Sequence, residues 1–255
     1  MRNRDDHQSP PAAPSGQRAE AGDADDADEA LSEAQQNRAA QFLTTEHFTL
    51  QTARSATIAD SSSRASLFMS TLSSAIIALA LVGQLSQAGA VFNVFALLLF
   101  PPLFFLGLVT FIRVLQSAIA DLVYIRGINR IRHFYLEQAP QIRPYFILSA
   151  SDDTGGAADH VKISRWQWFI TTAGTIMVIN SLLVGVFTGL GLRAITVLPL
   201  VWLILSGLLS FAVSLALHFI YQDRQWSAAL KRMPPAFPRN PNNPEIRDQA
   251  ARAGS

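Results

Sequence analysis

The sequence predicts an all-helical polytopic membrane protein, with four transmembrane helices arranged as two hairpins and carrying cytosolic helical extensions. Three observations lead there. Of the 255 residues 49% are hydrophobic and only 15% are charged. The charges are segregated: 48 consecutive residues between Arg64 and Arg113 carry none, nor do 27 between Arg165 and Arg193 or 29 between Arg193 and Asp223. About 20 apolar residues cross a bilayer core of roughly 30 Å, so these runs hold four crossings. That segregation excludes an ordinary soluble enzyme.

Each element follows in order. Residues 1–40 carry an acidic excess centred on Asp23–Glu29 and no apolar run, which predicts a disordered cytosolic tail. No apolar stretch follows its start, as a signal peptide would need. Over 41–65, Phe42, Leu43, Phe48, Leu50 and Ile58 recur among polar residues, predicting a cytosolic helix that leads into span one. The first charge-free run is too long for one crossing at 1.5 Å per residue and must fold back near Gln84–Ala90. Hairpin one (66–112) then has spans at 66–85 and 91–112, with Pro101 and Pro102 expected to kink the second.

The linker, 113–165, keeps helical spacing through Leu115, Ile119, Leu122, Ile125, Ile128 and Ile131 until Pro140 and Pro144 interrupt it. Ser151–Asp159 is expected to be a flexible loop, without the acidic spacing of a calcium loop. Hairpin two (167–219) has spans at 167–190 and 195–219, joined by a turn at Gly189, Gly191 and Arg193. Residues 220–255, rich in proline, are expected to form a disordered cytosolic tail. Arg54, Arg64, Arg113, Arg126, Arg130, Arg132, Lys162, Arg165, Arg224, Lys231 and Arg232 all fall on one side of this plan, whereas the short turns hold only Arg193. The positive-inside rule makes both termini and the linker cytoplasmic in a plasma membrane. Trp166, Trp168, Tyr221 and Trp226 fit an aromatic belt at that interface.

Candidate functional residues lie within or beside the spans. Ser66, Ser70 and Ser74 recur at i, i+4 on span one; Ser206, Ser210 and Ser214 do so on span four, continued by His218. Gly185 and Gly189 form a Gly-x-x-x-Gly on span three. Small and hydroxyl residues hold helices together in lipid, where no hydrophobic drive separates helix from tail; the other meaning of such a line is the wall of a pore. Asn180 is the most polar group near the centre of span three and needs a buried partner. Arg126, Arg130 and Arg132, just inside the membrane, are candidates for contact with anionic lipid headgroups. Leu81-Val82-Gly83 and Leu183-Val184-Gly185 hint at a duplicated helix pair.

No Asp, Glu, Lys or Arg lies inside a span, which argues against an ion-coupled transporter. No catalytic, cofactor-binding or metal-ligating motif is present, and there are no cysteines. The expectation is a non-enzymatic structural or effector module whose cytosolic helices bind a protein partner and not nucleic acid, assembled as a homo-oligomer; the alternative is an oligomeric channel or small-solute transporter. The segments Ala53–Ser66 and Tyr124–Tyr135 resemble a group of uncharacterised actinobacterial four-span integral membrane proteins, over about 45–220. The helix-then-hairpin layout over about 45–135 is similar to the two-helix membrane effectors of bacterial nucleotide-signalling defence, of the Pycsar and SLATT types. That similarity implies a membrane effector and carries no residue roles.

Overall fold

The structure is a computed structural model; it describes residues 15–87, 89–153 and 171–238, with side chains from Glu33 onward. Four helices make up nearly all of it: α1 (Ser15–Leu85), α2 (Ala90–Gln138), α3 (Thr172–Ile195) and α4 (Leu200–Arg232). A 3-10 turn at Pro140–Tyr145 follows α2. Each helix contains a stretch long and apolar enough to cross a membrane. Contacts divide the chain into two units, Met1–Phe48 and Thr49–Ser255. In the first, α1 exposes Phe42 and Phe48; the second holds everything described below.

Two boundaries fall where local sequence places them. Between α1 and α2 the chain turns at Ser86 and Gln87, with Gln87 in the left-handed region at φ 48°. Helix α2 runs on past the last apolar span residue to Gln138 and stops just before Pro140, because a residue preceding proline is pushed out of the α region. It passes through Pro101 and Pro102, whose side chains face outward.

Three expectations fail. Residues 15–40 are helical rather than disordered. From Asp23 to Val82 there is neither glycine nor proline, and the alanine-rich composition has high intrinsic helix propensity; residues 1–14 lie outside the described residues. The turn of the second pair is not at Gly189, Gly191 and Arg193, which are helical, but at 196–199. There Pro199 N-caps α4 and biases Leu198 towards extended backbone. Residues 220–232 continue α4 as helix, and Met233–Phe237 is held by side chains of α2. Residues 154–170, with Trp166 and Trp168, and 239–255 are outside the described residues.

Packing follows a simple antiparallel register. Along α1 and α2, Gly83 faces Phe92, Phe68 faces Gly107, Arg54 meets Asp121 and Leu50 meets Gly127. Between α2 and α3, Leu97 faces Gly191, Phe100 the ring of Phe187, and Gly107 faces Asn180. Helices α3 and α4 come closest: a Cβ on Gly185 would lie 2.8 Å from the Gly207 carbonyl oxygen, and one on Gly207 2.9 Å from that of Gly185. Backbones touch there because neither residue has a side chain, the usual device for helix association in lipid.

The centre of the unit is filled. Phe68 from α1, Phe111, Val114 and Leu115 from α2, and Ile176 and Met177 from α3 form one buried cluster, with Leu215, Phe219 and Trp226 of α4 against it. A second cluster joins Ala75, Ala96, Phe100, Leu103 and Leu183. Outside, the same helices present Leu67, Leu98, Phe105, Leu182 and Leu209, each more than half exposed. An apolar exterior around an apolar interior suits lipid as the surrounding solvent.

Candidate functional site

Two polar constellations stand out, one at span depth and one beyond the apolar stretches. The first joins three predicted residues. Asn180 (α3) and His218 and Ser214 (α4) are all buried. The His218 Nδ1 lies 2.8 Å from the Ser214 carbonyl oxygen, which can only accept, so Nδ1 carries the ring proton. In the neutral ring Nε2 then accepts from Asn180 Nδ2 at 3.3 Å. The Phe111 ring stands edge-on to the imidazole, with centroids 5.0 Å apart. The Asn180 Oδ1 is buried without a hydrogen-bond partner among the described residues. It points at Gly107, where a Cβ would come within 2.3 Å of it. Gly107 thus makes the room into which the amide fits, and a lone glycine mid-span was its one sequence signal.

Beside this pair an open groove of about 640 Å3 runs between α2 and α4, with Val184 of α3 contributing to its lining. Phe104, Leu108 and Phe111 line one wall, Ser210 and His218 the other. The remaining predicted residues are scattered. Ser206 donates to the Leu203 carbonyl of its own helix. Gly185 makes the close approach to α4, with Gly207 rather than Gly189 as its counterpart; Gly189 has ordinary clearance, 3.5 Å from the Leu203 oxygen. Ser66, Ser70 and Ser74 lie on the exposed side of α1, away from the buried Phe68 and Ala75.

The second constellation was not foreseen. Asp152, expected in a flexible loop, is fully buried. Its Oδ2 accepts from Arg130 Nε at 2.6 Å and from the Ala236 amide at 2.8 Å; its Oδ1 accepts from the Phe237 amide at 2.8 Å. The Asp152 amide donates back to the Phe237 carbonyl at 3.2 Å. Burial by itself would push the Asp152 carboxyl up, but the two amides and the Arg130 guanidinium together hold it below the usual carboxylate value. Arg126 donates to the Met233 carbonyl, Arg130 Nη2 to that of Pro234 at 3.2 Å, and Asn129 Nδ2 to that of Ser151 at 2.9 Å. The Phe237 ring stacks on His133 with centroids 4.2 Å apart.

This arrangement gives two of the three arginines partners within the chain. Arg126 is buried, and Arg130 pairs with Asp152 while its side chain stays partly exposed, so both are engaged within the fold. A neighbouring carboxylate and backbone carbonyls suit the fork of guanidinium donors. Arg132 donates to Asn129 Oδ1 at 3.0 Å and is half-buried; burial, then the nearby Arg54, lowers its pKa. Among the described residues no group of three His, Asp or Glu side chains converges on a point that would hold a metal. No family model, curated protein or solved structure matches this chain.

Proposed function

We propose that the chain is a non-conducting, non-enzymatic module of a bacterial plasma membrane, made of two transmembrane hairpins, which works by docking a protein partner on its cytosolic helical extensions. The observation that supports this reading is the packed centre among the described residues: Phe68, Phe111, Ile176 and Met177 are at most 1% exposed. Helices α2 and α4, at 49 and 33 residues, exceed the roughly 20 a bilayer needs, and their surplus carries the basic residues that the cytoplasm retains. Exposed Phe42 and Phe48 supply apolar anchors for a partner. The resemblance to Pycsar- and SLATT-type effectors fits a membrane module that answers to a cytosolic partner. The exposed serine face of α1 fits close contact between copies in a homo-oligomer.

Reporter fusions test the topology. Alkaline phosphatase joined after Gln87 or Leu198 is active under this reading, and joined after Gly155 or at the C-terminus it is silent. Ion flux in proteoliposomes tests the function, and partner-independent flux overturns it. One observation favours a second reading, a channel formed between copies: Ser210, Ser214 and His218 all face the open groove. If copies close that groove into a pore, Ser210→Leu abolishes flux and leaves assembly intact.

A further inference from the structure

The segment Met233–Phe237 is bound almost entirely through its backbone. The carbonyls of Met233 and Pro234 accept from Arg126 and Arg130, and the amides of Ala236 and Phe237 donate to Asp152. The Phe237 carbonyl accepts from the Asp152 amide. Among the described residues, the Phe237 ring is the side chain of this segment that stacks on α2, against His133. The sequence Met-Pro-Pro-Ala-Phe-Pro (233–238) fits this pattern position by position. Pro234, Pro235 and Pro238 have no amide to donate, and the donated amides are those of Ala236 and Phe237. A site that reads backbone groups and one ring is a general solution for recognising peptides. Prolines lower the ordering cost of such a ligand.

We propose that the α2 face from Arg126 to His133, closed by Ser151 and Asp152, is a peptide-binding site for segments of the form x-Pro-x-Ala-Phe-Pro on a partner protein, and that residues 233–238 are its resident competitor. The partner's class rests on the docking function proposed above. Release of the resident needs no helix to move, since Met233 directly follows the end of α4 and residues 234–238 are exposed. Held in cis, it competes at the millimolar effective concentration typical of a short tether, so a partner engages once the resident is displaced.

The test uses the full chain in nanodiscs and a fluorescein-labelled peptide, Arg-Met-Pro-Pro-Ala-Phe-Pro-Arg, followed by anisotropy. Ala236→Pro removes one amide donor from the resident without touching α2, and Phe237→Ser removes its ring contact; each loosens the resident's hold and frees the site. Both variants are expected to bind the peptide at least tenfold more tightly than wild type. Adding Asp152→Asn should cancel that gain, and a peptide with proline in place of its alanine should not bind. Failure of both emptied variants to bind overturns the proposal, as does equal binding to empty nanodiscs or to the Asp152→Asn protein. Flux measured on the same preparations reports separately on the non-conducting reading, which can fail while the peptide site stands.

Discussion

The two polar constellations solve one problem by different means. At span depth, Asn180 and His218 share one side-chain hydrogen bond, and the leftover Asn180 Oδ1 is accommodated by the missing side chain of Gly107. Beyond the apolar stretches, Asp152 has both oxygens occupied by three donors from two distant segments. In lipid every polar group is costly, and the span site keeps few of them and clears space. Where chain backbone is at hand, a buried carboxylate is instead surrounded by donors. The first site therefore depends on volume and the second on charge, and substitutions should separate the two.

The largest effect is expected at Asp152. Asp152→Ala strands two amides and Arg130, and breaking such a charged cluster should cost about 3 kcal/mol of docking of the C-terminal segment. Hydrogen exchange at the Ala236 and Phe237 amides should accelerate roughly 100-fold, while exchange along α3 stays unchanged. Equal acceleration in α3 would show that the clasp is not an independent unit. The same site should respond to acid. Its carboxyl is held below the ordinary value of 3.8, so its contribution is fully present above that pH and is lost as pH falls below it. Protection of the Phe237 amide that disappears already between pH 7 and 5 would contradict the ionised cluster.

Gly107→Ala comes next. The added methyl meets Asn180 Oδ1 well inside contact distance, and overpacking of this kind costs about 2 kcal/mol. Combining it with Asn180→Ala should remove most of that cost, a coupling that a double-mutant cycle in detergent unfolding reads directly. Additive effects would mean that Gly107 matters for some other contact. The smallest effect is expected for His218→Phe, which removes the acceptor for Asn180 Nδ2 but keeps a ring beside Phe111. Side-chain hydrogen bonds within membranes average about 0.6 kcal/mol, so thermal stability should drop only slightly. A drop as large as that of Gly107→Ala would put the weight of the span site on the hydrogen bond rather than on volume.

What the sequence by itself determined is what depends on local composition. Charge-free runs set the four apolar helices, Gly83 to Ala90 set the first turn, and Pro140 set the end of α2. Asn180, His218 and Ser214 were legible because a polar residue is conspicuous against an apolar span. Pro199 was an equally local signal for the second turn, and the nearby glycines obscured it although helices in lipid readily contain glycine. Pairing across the fold was decided only in three dimensions. Nothing in α3 says that Gly185 meets Gly207 rather than serving a motif with Gly189. The clasp was invisible for the same reason: Asn129 finds Ser151 22 positions away, and Asp152 finds Phe237 85 positions away, in loops where a charged residue attracts no notice. Hydropathy is summed over neighbours in the chain, whereas a buried ion pair or a glycine crossing is defined by neighbours in space.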